Sequence, residues 1–289
     1  MMPRLFLFGL GYTGQRIAAL FAQQGWEIVS TGSAGTLSFD DEATVRLALA
    51  DARHVLSSVP PAGDGSDPVL ARFGDALAGR ALYYLSSTGV YGDCGGAWVD
   101  ESAPIGSGRR TARVEAERGW LALGARTLRL PGIYGPGRSA LDRVLAGRAH
   151  RLDLPQQCFS RIHVEDIARG VWAARDAPPG AYNLADDCPA SQNAVVEEAC
   201  RLLGLPPPAL VSLDAAALSP VARGFYAENR RIANGKAKRM LGWRPLYPSY
   251  REGLAALWSA GQREHEAGKR DTRAPSSERA PAIGFEQGG

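Results

Sequence analysis

The chain has 289 residues, a net charge of +3 and 45% apolar residues. That is enough for one large core, or a core with a smaller lobe, and the mixed charges exclude the electrostatic footprint of a nucleic-acid binder. Cys94, Cys158, Cys188 and Cys200 are far apart and form no metal-type spacing with the four histidines. Scattered thiols point to a reducing compartment. The apolar start, Leu5 to Leu10, is too short for a membrane span and lacks a signal-peptide layout, so the expectation is a cytoplasmic protein without a membrane partner.

Arg4–Phe8 reads as a buried strand, its continuous apolar run from Leu5 being that expected of a parallel strand covered on both faces. Gly9–Gly14 read as a turn, and Ile17, Leu20 and Phe21 give Gln15–Gln24 a helical face that ends at Gly25. Further strands are predicted at 26–30, 36–39, 53–59, 81–85 and 126–130, and helices at 40–50, 69–77 and 114–123. This alternation implies βαβ units in a doubly wound parallel sheet. After Pro131 the pattern becomes turn-rich, with helices predicted at 140–146, 164–175, 193–203, 233–241 and 250–260. The expected organisation is an α/β Rossmann-type core over 1–133, with returning segments near 160–185, and a smaller substrate lobe over 134–261. From 262 to 289 the polar composition predicts a disordered tail.

Gly9-Leu10-Gly11-Tyr12-Thr13-Gly14 is a G-x-G-x-x-G run between a strand and a helix, the context in which this motif binds a dinucleotide. Gly9 permits the tight turn, Gly11 lets backbone approach the pyrophosphate, and Gly14 lets helix and strand close. The phosphates then lie at the positive helix end. After Val29 the sequence is Ser30-Thr31-Gly32-Ser33, with no acid to bind a ribose 2′-hydroxyl. NADP is therefore favoured over NAD, with Thr31 and Ser33 as hydroxyl donors. Asp40 is a candidate acceptor from the adenine amine, or else a helix cap. Ser57 and Pro131 are the remaining coenzyme candidates from the strand ends.

Five further segments extend the pattern: Leu85-Ser86-Ser87-Thr88-Gly89-Val90-Tyr91-Gly92, Leu128 to Gly137, Arg161-Ile162-His163-Val164-Glu165-Asp166, Tyr182-Asn183-Leu184, and Leu241-Gly242-Trp243-Arg244-Pro245. With the glycine turn, they make the chain resemble the extended short-chain dehydrogenases, the NAD-dependent epimerase/dehydratase group, and most of all its small atypical branch. The resemblance implies a nicotinamide coenzyme, a small-molecule substrate such as a nucleotide sugar, and a homodimer. It also implies a Tyr-x-x-x-Lys pair for proton transfer, with a Ser at the fifth-strand end, here Ser87, bonding the substrate oxygen.

That pair is missing. Registered on the glutamate of the family helix, here Glu117, Arg109 stands where Tyr belongs and Arg113 where Lys belongs. No tyrosine is followed by lysine four residues later, and lysine occurs only at 236, 238 and 269. Arg113 retains the capacity to hold ribose hydroxyls. Arg109 cannot donate a proton at working pH and instead suits a carboxylate or phosphate. Tyr91 joins Ser87 as catalytic candidate, and Tyr134 and His163 join Arg109 as substrate contacts. Against these roles stand plainer ones: rings packed in a pocket wall, and a histidine bracing the next helix. Arg138, Arg161 and Arg230 are candidate anion contacts. Three readings stay open: an oxidoreductase or epimerase with a displaced acid, a non-catalytic NAD(P)-binding sensor or scaffold, and a structural protein with a vestigial site.

Overall fold

The computed structural model describes residues 2–108, 111–216 and 218–271. In chain order the elements are β1 Arg4–Phe8, α1 Tyr12–Gln23, β2 Glu27–Ser30, α2 Glu42–Ala50, β3 His54–Ser57, α3 Pro68–Phe73, β4 Ala81–Ser87, β5 Trp98–Val99, α4 Thr111–Ala122 and β6 Arg126–Leu130. Then come β7 Gly132–Tyr134, α5 Ala140–Leu145, β8 Arg151–Leu152, β9 Arg161–His163, α6 Val164–Ala173 and β10 Gly180–Asn183. The last are α7 Gln192–Leu203, β11 Leu210–Val211, α8 Pro220–Phe225, β12 Arg231–Ile232, α9 Gly235–Met240 and α10 Tyr250–Asp271.

Six strands form one parallel sheet in the order β10-β6-β4-β3-β1-β2. Both faces are covered, and β1 shows why its sequence is apolar from Leu5 to Phe8. Leu5 and Leu7 point into a cluster with Ile17 and Phe21 of α1 and Ile167 and Val171 of α6. Phe6 and Phe8, pointing the other way, pack with Val45 and Leu49 of α2, Phe73 of α3 and Trp120 of α4. Each such side chain contributes about 1.5–3 kcal/mol by leaving water. The Rossmann-type doubly wound sheet is thus present. Its chain reverses direction of travel across the sheet at β1, between β2 and β3, where α/β sheets open a crevice at their carboxyl ends.

The strand predicted at 36–39 does not form. Thr31 and Leu37 make only an isolated bridge, because the chain folds straight back on itself. Gly32 takes φ +117°, and a Cβ at Gly35 would lie 2.5 Å from the Thr31 carbonyl carbon. The helix predicted at 69–77 is split into α3 and a 3-10 turn over Gly74–Leu77.

After β6 only β10 returns to the large sheet; β9 pairs instead with β7. Leu141 of α5, Val195 and Ala199 of α7 and Leu254 of α10 form a separate small core. The Leu241–Pro245 motif is anchored to α6: Trp243 Nε1 donates to the Asp166 carbonyl at 3.1 Å. The Asp166 carboxylate in turn accepts from the Leu246 and Tyr247 amides. α10 runs on to Asp271, so the tail predicted from 262 begins no earlier than 272, and 272–289 lie outside the described residues.

Candidate functional site

The turn after β1 is built around its glycines. Gly9 has φ +87°, and its amide and that of Leu10 both donate to the Thr31 carbonyl, at 3.2 and 2.8 Å. A Cβ at Gly14 would stand 2.6 Å from the Gly9 carbonyl oxygen, so only glycine lets α1 close on β1. Gly11 is different: nothing lies within 4 Å of where its Cβ would be. α1 begins directly at Tyr12, with Gly11 as N-cap, no capping side chain and no acid in its first turn. By contrast α2, α3, α5, α6, α7 and α8 all have a side-chain cap. The start of α1 therefore offers free amides, the positive helix end and open space, which together fit a pyrophosphate.

Around this opening, Ser33 is exposed on the 31–36 turn, whereas Thr31 is buried, with its backbone bonded to Leu7, Gly9 and Leu10. Asp40 is not the cap: the cap of α2 is Asp41, which accepts from the Thr44 amide, and Asp40, largely exposed, accepts from Arg72 through Oδ1 at 3.1 Å. Ser57 is fully buried with its hydroxyl accepting from the Val59 amide at 3.4 Å. Ser58, which the sequence reading passed over, donates to the Gly9 carbonyl and braces the glycine turn.

At the carboxyl end of β4, Ser87 and Thr88 line a cleft of about 820 Å³ together with Pro131 and Gly132 from the end of β6. The Ser87 hydroxyl accepts from the Gly89 amide at 3.1 Å, capping the 3-10 turn Thr88–Tyr91. The cleft's far wall comes from α5, α7, α8 and α10, and Arg138, Arg143, Arg148, Arg161 and Arg230 line it against two carboxylates, Asp142 and Glu228. Arg161 is buried and spends its guanidinium on the carbonyls of Phe159 and Ala190 and on Gln192. Arg230 bridges the Gly92 carbonyl and Glu228, at 2.6 and 2.8 Å. A cleft with this excess of guanidinium suits an anionic ligand.

The remaining candidates fall outside or in the wall of that cleft. Tyr134 lines it, but its hydroxyl is turned to the Ser249 carbonyl at 3.5 Å and Gly253 of α10 lies on its ring. Burial, with Asp186 and Asp166 nearby, pushes its ionisation far up. His163 is not in the cleft wall. It caps α6, with Nδ1 accepting from the Glu165 amide at 3.2 Å, between the rings of Tyr134 and Tyr247. Burial first, and Arg16 second, bring its pKa down to about 4. The bracing role is the one realised. Among the described residues no group of three or more Cys, His, Asp or Glu is placed to hold a metal, and no helix is long and apolar enough to cross a membrane.

No family profile matches the chain. It is 28% identical to Protein YeeZ of Escherichia coli (strain K12) over 286 residues, 86% of this chain and 97% of that one. It is 33% identical over 181 residues to 3-diazoavenalumate denitrifying reductase of a Streptomyces species, covering 54% of this chain and 58% of the reductase. Among solved structures, a conserved protein of unknown function from Silicibacter pomeroyi is 41% identical, with a TM-score of 0.79 over 90% of this chain and all of that one. A UDP-glucose 4-epimerase from Thermotoga maritima, solved with UDP-glucose, superposes with a TM-score of 0.72 at 16% identity over 91% of this chain and 99% of the epimerase. Human epimerase family protein SDR39U1, solved with NADPH, gives 0.69 at 16% identity over 89% and 99%.

The chain has the fold of the NAD-dependent epimerase/dehydratase family.

In the register of that family, the helix expected to carry the Tyr and Lys is α4. Arg109 lies outside the described residues. Arg113 is half-buried against β4, with Nη1 donating to the Tyr84 hydroxyl at 2.9 Å and reaching the Leu85 carbonyl at 3.4 Å. One turn on, the registering glutamate is wholly buried. Glu117 takes two hydrogen bonds from Arg129 and one from Ser86. Arg129 continues to the Tyr91 hydroxyl at 2.7 Å, and that hydroxyl donates to Asn183 Oδ1 at 2.8 Å. Tyr91 is thus bonded on both sides beneath the cleft rather than exposed in it. Burial outweighs the adjacent guanidinium and pushes its pKa up to about 12, the wrong direction for an acid working near neutrality. This network joins residues up to 92 positions apart, and no local pattern signals it.

Proposed function

We propose that the chain is an NAD(P)-dependent oxidoreductase or epimerase-like enzyme of a sugar-type or other small hydroxyl or carbonyl compound, working without the Tyr-x-x-x-Lys pair. The observation that carries this reading is that two features lie at the carboxyl ends of the parallel strands, bridged by the contacts of Tyr12 with Pro136 and Arg138. These are the uncapped, open start of α1 and an arginine-lined cleft of about 820 Å³ whose floor is Ser87 and Thr88. The amides of α1 would hold the coenzyme pyrophosphate, Ser33 the adenosine ribose side, and Arg113 the nicotinamide ribose, with Pro131 as wall. When bound, a nicotinamide coenzyme supplies hydride transfer. Ser87 would orient the substrate oxygen, and the cleft arginines would fix an anionic group such as the diphosphate of a nucleotide sugar. The absence of a carboxylate at the end of β2 favours NADP, and residues 134–261 act as the substrate lobe. The UDP-glucose and NADPH of the superposable structures support both ligand classes.

The test is to purify the protein, titrate it with NAD(H) and NADP(H), and follow both absorbance at the nicotinamide band and sugar products by chromatography across a panel of nucleotide sugars and carbonyl compounds, since epimerisation leaves the coenzyme's net redox state unchanged. Saturable coenzyme binding with turnover of one class supports the reading. Binding without any turnover supports the second one, a non-catalytic NAD(P) sensor, which is favoured by the double engagement of the Tyr91 hydroxyl.

A further inference from the structure

Arg138 stands where the coenzyme end of the site meets the cleft. Its guanidinium lies over the Tyr12 ring, 5.6 Å from the centroid, and Tyr12 is the first residue of α1. Tyr12 is anchored across the same gap, its hydroxyl donating to the Pro136 carbonyl at 3.2 Å. The loop comes this close only because residue 135 is glycine: a Cβ there would lie 2.5 Å from the Tyr12 hydroxyl and 2.7 Å from Val164 Cγ1. Gly135 and Arg138 exchange backbone hydrogen bonds of 3.2 and 3.0 Å, which closes the turn. The next residue, Ser139, forms a capping box with Asp142 at the start of α5. Gly137, Arg138 and Ser139 all face the cleft. Among the described residues the Arg138 guanidinium has no hydrogen-bond or ion-pair partner, and it lies over the tyrosine ring.

We propose that Arg138 is a coenzyme ligand that joins the two halves of the site. Set by Tyr12, it contacts the pyrophosphate at the opening of α1, and the coenzyme thereby fixes the Gly135–Ser139 turn that walls the cleft. This rests on the coenzyme reading above. A guanidinium is a planar, always-charged donor fork suited to phosphate oxygens, and stacking on a ring holds it ready before the ligand arrives. Tyr12 is the positioning residue. The cleft wall, already shaped in the free chain, is then held more rigidly once the coenzyme is in place.

Hydrogen exchange of the full chain with and without NADPH tests this, alongside NADPH fluorescence titration of the parent, Arg138→Gln, Arg138→Lys, Tyr12→Ala and Tyr12→Phe. In the parent, NADPH slows exchange over residues 10–16 and also over 133–140. Arg138→Gln and Tyr12→Ala keep the first protection, lose the second, and bind NADPH about tenfold more weakly. Tyr12→Phe, which keeps the ring, retains both, and Arg138→Lys recovers part of the affinity. Protection confined to 10–16 in the parent, or protection at 133–140 that survives in both Arg138→Gln and Tyr12→Ala, overturns the coupling and leaves coenzyme binding intact. A parent that binds no NADPH overturns the coenzyme reading and this one with it. Arg138 is exposed, so Arg138→Gln decides the matter alone if Tyr12→Ala does not fold.

Discussion

Arg129 grips a single oxygen of Glu117 twice, through Nε at 2.9 Å and Nη2 at 2.6 Å, with both side chains out of water. The other carboxylate oxygen accepts from Ser86. The pair ties α4, which carries Arg113, to β4 and β6 directly under Ser87. Taking away one partner strands the other charge in the interior. Glu117→Ala is expected to cost about 3–5 kcal/mol in urea unfolding, while replacing both partners with apolar residues of similar volume restores much of that loss. A Glu117→Ala midpoint equal to the parent's would show that the pair holds nothing.

Tyr91 separates structure from chemistry. In Tyr91→Phe the ring stays, but Arg129 Nη1 and Asn183 Oδ1 both lose a partner. The expected result is a loss of about 1–3 kcal/mol in stability, with turnover per folded molecule unchanged. Unchanged stability with a hundredfold or greater loss of turnover would reinstate Tyr91 as the acid.

The glycine turn gives a sharper contrast. Gly14→Ala drives a Cβ onto the Gly9 carbonyl oxygen, at 2.6 Å, and should lower the melting temperature and coenzyme affinity together. Gly11→Ala adds its methyl to open space and has extended backbone at φ −86°, so it should leave the melting temperature unchanged or slightly raised. Its NADPH affinity should nonetheless fall at least tenfold, because that space is where the pyrophosphate must approach. Equal NADPH affinity in Gly11→Ala and the parent would place the phosphates elsewhere.

The parts of this architecture written in local pattern are legible in the sequence. A continuous apolar β1, glycines at spacings that only a strand-to-helix turn needs, and the alternation of strands and helices were sufficient for the parallel sheet and the dinucleotide opening. What escaped was set by long-range contacts. Asp40 reads as a cap, yet Asp41 takes that place and Arg72, 32 residues on, binds one oxygen of Asp40. Ser57 and Ser58 are equivalent in sequence, and only the register of β3 against β1 decides which reaches Gly9. The alternating segment after Gly35, Thr36 to Phe39, has a strand pattern, but a turn this tight leaves no room for a strand to run. α10 outlasts its apolar stripe, which is why composition alone ended it early.

His163 makes stability depend on pH in a direction that can be worked out. Its Nδ1 accepts the Glu165 amide, so the neutral ring carries its proton on Nε2, which is buried and has no partner among the described residues. With 2% exposure, the folded pKa falls to about 4, with burial the larger cause and the Arg16 charge the smaller. In the unfolded chain it returns to about 6.5. Above that value both states are neutral and the full stability is present. As pH falls from about 6.5 to about 4 the unfolded chain takes up a proton that the folded one refuses, and about 3 kcal/mol is lost. His163→Asn keeps a capping side chain but does not titrate. Urea unfolding of parent and variant at pH 7.5, 6, 5 and 4.5 should therefore show curves that converge as acid is added, the parent losing more. Parallel curves across that range would mean that the imidazole is protonated as readily in the native protein as in water.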